Sequence, residues 1–358
     1  MQPHLTALPP EGLREFHELR RDAVDAVTAR FFAEHGAAYA ALGPRARDAC
    51  REDLEFHLEF LRPVLEFGLL APMVDYLHWL AGVLAARGVP ATHLPLSLDW
   101  LAEFFAEHMD SAHAGAVVAA LRAANQALRE RPDAAPAAPP GPEPWPECAA
   151  FEEALLAGDR RRAAEVIEGV LAQDRGLVNA EIHVIQPALY RIGEKWQRNE
   201  VSVAQEHLAT AIAQSVMTLG LTKTDPPPAN GRKVLLACVE GNHHAVGLQM
   251  VADAFQMSGW EVQYLGANVP TEALARQVAA WKPHLVGLSI SFAHQLPAVR
   301  KAIARLQDLL GTARPPVIVG GLAINRFDAL TAQVGAEGSG GDALAAVASG
   351  MRLARGHT

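Results

Sequence analysis

Three patterns in this 358-residue chain predict a multidomain protein. It has an all-α amino-terminal domain (globin-like or bundle), a small four-helix bundle, and a doubly wound, Rossmann-like α/β domain. From Gly12 to about Glu130 apolar residues recur at helical spacing with little period-two alternation. Two proline-rich stretches, 131–147 (RPDAAPAAPPGPEPWPE) and 224–231 (TDPPPANG), interrupt the chain and read as linkers. Beyond Lys233, short apolar runs alternate with amphipathic segments, the pattern of a parallel sheet covered by helices. The predicted domains are therefore 1–130, 148–223 and 232–358.

The amino-terminal domain is expected to hold helices over 12–35, 45–68, 72–87 and 97–130, with Pro44, Pro72 and Pro95 near their starts. Its middle is rich in rings: Phe56, His57, Phe60, Phe67, Tyr76, His78, Trp79, His93, Trp100, Phe104, Phe105 and His108. Helical spacing places His57 on one face with Phe60, Leu61 and Val64. One reading is a core histidine bonded to a carbonyl. The other is a slot for a flat chromophore, haem or an open-chain bilin, with His57 or His78 facing the ring nitrogens and Arg62 near a propionate. Cys50 lacks any motif for thioether attachment and reads as a free thiol.

The segment 148–223 has helical periodicity with a break at Gly158-Asp159, and its size suits a four-helix bundle. In the last domain, strands are expected at 233–239, 261–265, 284–291 and 316–320, with a fifth near Gly335 to Gly338. Helices are expected at 245–258, 271–280, 296–310, 326–333 and 341–353. After the first strand, Glu240, Gly241, Asn242, His243 and His244 form a polar loop at a strand's carboxyl end, where open α/β sheets bind ligands. That loop lacks Gly-x-Gly-x-x-Gly, which disfavours a dinucleotide.

Composition narrows the function classes. A net charge of −9 argues against direct nucleic-acid binding. No run of about 18 apolar residues and no leader at the start are visible, so no membrane span is predicted and a cytoplasmic location is expected. Three scattered cysteines without CxxC spacing fit neither a disulfide framework nor a structural zinc site.

Three loops carry a family resemblance. Asn242-His243-His244-Ala245-Val246-Gly247, Ser289-Ile290-Ser291 and Gly320-Gly321 resemble the cobalamin-binding domain of methionine synthase and the corrinoid mutases, which carries Asp/Glu-x-His-x-x-Gly, Ser-x-Leu/Thr/Ser and Gly-Gly. The register implies that His244, three residues before Gly247, is the lower axial cobalt ligand, with Asn242 where the family has a carboxylate. Ser289 and Ser291 would then bond the nucleotide tail, and Gly320 and Gly321 would leave room for it.

Tyr190 to Thr210 resembles the helical cap over the upper face of cobalamin, within a subgroup marked by Trp-x9-Glu-His: here Trp196, then Glu206-His207. That subgroup comprises light sensors holding adenosylcobalamin, in which the Trp and Glu contact the adenosyl group; His207 would face the corrin edge. Gln197 stands where the carotenoid-gene repressors of this subgroup carry a histidine. No helix-turn-helix like theirs is apparent in the first 130 residues. An all-helical domain ahead of the cobalamin module is similar to the photocobilins, which add biliverdin.

The resemblance thus implies a photoreceptor, not an enzyme, that binds adenosylcobalamin base-off and His-on. Light would drive a conformational or quaternary change, through a homo-oligomer or a partner protein. The competing expectations are a corrinoid methyl carrier for methyltransferases and a haem-globin redox sensor fused to a cobalamin domain.

Overall fold

Helix-forming stretches free of alternation fold as expected in the first half of the chain. A computed structural model describes residues 5–40, 42–131, 141, 143–327 and 330–355. The chain divides into two compact units, Met1–Ala137 and Ala138–Thr358.

The first unit is a bundle of five helices: α1 (Pro10–Ala40), α2 (Ala46–Phe67), α3 (Leu70–Ala86), α4 (His93–His108) and α5 (Ser111–Glu130). Phe16, Phe31, Leu54, Leu58, Leu61, Met73, Leu77 and Phe105 fill its core. The single helix expected over 97–130 is two. Met109 is extended, and the Asp110 carboxylate accepts the Ala112 N–H at 2.8 Å, an N-cap that starts α5 anew.

The second unit begins inside the stretch expected to be linker. Trp145 stacks on His183 with ring centroids 4.8 Å apart, the Arg175 guanidinium covers the ring at 3.7 Å, and the Trp145 N–H donates to the His183 carbonyl at 3.0 Å. Residues 132–140 and 142 of that stretch lie outside the described residues. Four helical rods follow. They are α6 (Glu147–Leu156), α7 (Arg160–Leu171), a continuous helix from Leu177 to Gln197, and α10 (Val203–Thr222). The third rod consists of α8 (Leu177–Ala180), a π-helical turn (Glu181–Ile185) and α9 (Gln186–Gln197). Ser202 and Gln205 close a capping box at the start of α10.

The sheet contains β1 (Lys233–Cys238), β2 (Glu261–Tyr264), β3 (Leu285–Ser289), β4 (Val317–Gly320) and β5 (Gly338–Gly340), all parallel, in the order β2-β1-β3-β4-β5. Between them run α11 (Val246–Gln256), α12 (Thr271–Trp281), α13 (Leu296–Leu310), α14 (Leu322–Arg326), α15 (Leu330–Val334) and α16 (Ala343–Ala354). The helix expected over 326–333 is α14 and α15, because Gly321, at φ +100°, turns the chain into a helix directly after β4 and Phe327 is extended. The fifth strand lies later than expected, and its GSG sequence carries no apolar alternation to mark it. The four-rod bundle shares its core with the sheet domain: Phe151, Ile167, Ile185, Ile212 and Met217 form one cluster with Met250 and Ala254 of α11 and Ala343 of α16.

Candidate functional site

In a sheet of this order the connections reverse direction between β1 and β3, which opens a crevice at the carboxyl ends of those strands. Two loops form its floor, Val239–Ala245 after β1 and Ile290–Gln295 after β3. Asn242, completely buried, joins them: its Nδ2 donates to the Ser289 carbonyl at 2.9 Å, and its Oδ1 accepts the His244 backbone N–H at 3.1 Å. The amide of Asn242, which stands at the carboxylate position of the resemblance, is thus bonded to backbone groups.

The His244 ring stands exposed at the crevice beside Phe292, with centroids 5.1 Å apart and planes at 85°. Desolvation by its surroundings lowers its pKa, Glu206 opposes that shift, and His243 adds to it. The ring is therefore neutral near pH 7, with a nitrogen lone pair available to a metal. His243 is exposed on the same loop. Gly247 opens α11, and a Cβ there would meet nothing within 4 Å, which leaves that shelf clear.

Ser289 is buried at the end of β3, and the Ser291 backbone N–H donates to Gln295 Oε1 at 2.9 Å. The glycine pair also lies where the backbone leaves little room for a side chain. A Cβ on Gly321 would lie 2.1 Å from the Ile290 carbonyl oxygen, and one on Gly320 would lie 3.3 Å from that of Gly340. The missing side chains let strand ends approach one another.

In the bundle, Trp196 is half-buried in the last turn of α9, and Gln197 follows it. Glu206 is half-buried in the first turn of α10 and bears electrostatically on His244. Its Oε1 accepts from Thr210 Oγ1 at 3.0 Å, and its Oε2 lies 2.6 Å from His207 Nδ1. His207, expected at a corrin edge, is thus the partner of Glu206.

A neutral imidazole, a clear glycine shelf and a carboxylate within electrostatic reach suit a large, metal-centred cofactor. Two family models, each described as a B12 binding domain, match residues 232–348 and 148–219. The second unit of the chain thus resembles a pair of B12 binding domains. Over 189 residues it is 32% identical to the HTH-type transcriptional repressor CarH of Myxococcus xanthus, covering 52% of this chain and 62% of that one. The repressor CarA of the same organism is 37% identical over 123 residues, 34% of this chain and 41% of its own. The trimethylamine corrinoid protein of Methanosarcina barkeri is 26% identical over 39% of this chain and 66% of its own. The chain thus spans less than two thirds of the length of either repressor. The donor chemistry fits cobalamin: the His244 imidazole would hold the cobalt, and Gly247 leaves open space at the start of α11.

In the first unit, the residues expected to line a bilin slot have these surroundings. His57 is buried, its Nδ1 lies 2.9 Å from the Tyr76 hydroxyl, and burial pushes its pKa down to about 3. It is a core histidine, bonded to a phenol and not to a carbonyl. Arg62 pairs with Glu66 one turn on. His78 differs, for its Nε2 is buried with no hydrogen-bond partner.

Sequence reasoning missed Phe292, Gln295 and Asn268. Asn268, at φ +52°, accepts the Gly241 N–H at 2.8 Å and donates its own N–H to the Asn242 carbonyl at 2.9 Å. Local sequence carries no signal for such contacts, because they depend on which loops the sheet brings together.

Proposed function

We propose that the protein is a light sensor that binds adenosylcobalamin base-off and His-on. The observation that supports this reading is that Glu206 of the bundle lies within electrostatic reach of His244 of the sheet domain. Adenosylcobalamin, when bound, supplies a cobalt–carbon bond that visible light breaks. The chain's part is to hold and to respond. His244 offers a neutral imidazole nitrogen from below; Trp196 offers an aromatic face and Glu206 an acceptor for hydroxyl or amine groups. Gln197 is a poor metal ligand, so His207 is the nearest candidate imidazole on the bundle side, provided it leaves Glu206.

The four-rod bundle shares one core with α11 and α16, so loss of packing beneath Trp196 would be felt at that shared core. Exposed Leu208 and Leu219, about 20° apart round α10, offer an apolar strip through which a rearranged bundle would change its association, with another copy or a partner protein.

We propose further that residues 1–130 hold biliverdin as a second chromophore. Support comes from His78, whose buried Nε2 has no partner, next to Trp79 and near the stacked Phe60–Tyr76 pair, 3.9 Å between centroids. The competing reading, a corrinoid methyl carrier, draws on the corrinoid relatives, and a methyl-loaded resident cofactor would favour it.

The test is an absorption spectrum of protein supplied with adenosylcobalamin and biliverdin, before and after green light. A spectrum unchanged by illumination refutes the light-sensing reading. His244→Ala should abolish the His-on spectrum, whereas Trp196→Ala should alter photolysis and leave lower ligation intact.

A further inference from the structure

We propose that Gln295 and Phe292 are the positioning residues that aim the His244 imidazole, an inference that rests on His244 as the axial ligand. Gln295 is only 4% exposed, and both ends of its amide are hydrogen-bonded, across two loops 54 residues apart. Its Oε1 accepts the backbone N–H groups of Ser291 at 2.9 Å and Phe292 at 3.2 Å, while its Nε2 donates to the Gly241 carbonyl at 3.1 Å. Gly241 immediately precedes Asn242, whose amide holds the His244 backbone. One side chain therefore fixes both the loop that carries the imidazole and the loop that carries the ring beside it.

Phe292 completes the bracket. Its ring meets the imidazole at 85° with centroids 5.1 Å apart, an edge-to-face contact that blocks rotation of the histidine side chain toward the β3 side. Metal-ligating histidines usually take their orientation from a hydrogen bond to the second ring nitrogen. Asn242, the residue in the family's carboxylate position, has its amide on backbone groups. Orientation here falls to a wall and a loop clamp.

The experiment loads full-length wild type, Gln295→Ala, Phe292→Leu and His244→Ala with cob(II)alamin. With histidine isotopically labelled at its ring nitrogens, it measures the dissociation constant and the electron paramagnetic resonance splitting by one labelled axial nitrogen, which the cofactor's own base cannot give. Gln295→Ala is expected to bind about 10- to 100-fold more weakly, the range seen when groups orienting a metal ligand are removed, and to show a reduced nitrogen-split population. Phe292→Leu, which leaves every backbone bond in place, is expected to fold normally and give a mixture of nitrogen-ligated and unligated cobalt.

Undiminished splitting and affinity in Gln295→Ala and Phe292→Leu, with splitting lost in His244→Ala, overturns the positioning role alone. Splitting that survives in His244→Ala overturns the ligand assignment itself. Should Gln295→Ala fail to fold, Phe292→Leu decides.

Discussion

Glu181→Gln is the change whose effect on stability can be worked out most fully. Glu181 opens the π-helical turn, is completely buried, and has neither carboxyl oxygen hydrogen-bonded to a donor group. It meets Asp253 of α11, itself buried. Burial raises the pKa of both, with Glu181 held well above the ordinary carboxylate range, so Glu181 keeps its proton and donates it to Asp253. The other titratable groups that Asp253 bears on, directly or through Tyr264, stay neutral at ordinary pH. Burial pushes Tyr264 up to about 12 and Cys238 up to about 11.

The sign follows from proton counting. Below the unfolded glutamate pKa of about 4.3, folded and unfolded chains both carry the proton, and the pair contributes fully. As pH rises toward the elevated folded pKa, only the folded chain holds it, and stability falls by on the order of 1 kcal/mol per pH unit. Glutamine keeps the shape and donates an N–H to Asp253 without titrating. Urea unfolding from pH 5 to 8, followed by probes in the second unit, should show Glu181→Gln gaining on wild type as pH rises. Parallel curves would refute the shared proton.

Gly321→Ala should destabilise the second unit by about 3 kcal/mol or more, combining left-handed backbone strain with a Cβ in the Ile290 carbonyl. Gly247→Ala should leave the urea midpoint unchanged and weaken cobalamin binding in equilibrium dialysis. Asn242→Asp would set a carboxylate against the Ser289 carbonyl in place of a donor; thermal unfolding should report a loss of about 1–3 kcal/mol. His57→Ala should cost the first unit about 2–5 kcal/mol by leaving a cavity and the Tyr76 hydroxyl unpaired, measured by urea unfolding.

The sheet was legible because β1 and β3 are buried on both faces and read as continuous apolar runs, Val234 to Val239 and Leu285 to Ile290. β5 was blurred because three small residues carry no pattern. The break before α5 was open to reading, since an aspartate ahead of a helical run is a start signal, yet the periodicity across Met109 concealed it. At the site, residue type and register single out His244, while the roles of Asn242 and Gln295 depend on which carbonyls the folded loops place within reach. His57 illustrates the same limit: its partner, Tyr76, lies 19 residues away on another helix.

The π-helical turn sets a phase. Each residue advances an α-helix by about 100°, so a wide turn shifts the angular register of everything after it relative to everything before. Upstream of it, Leu177 and Ala180 face inward; downstream, Ala188 and Ile192 do, and Trp196 follows one turn beyond Ile192. The turn takes up one residue more than plain α geometry needs for the same rotation, so deleting a single residue between Glu181 and Ile185 would restore an α-helix and leave the inward faces of both halves in phase. A deletion anywhere else in the rod would instead swing the distal half, and the indole of Trp196 with it, by about 100°.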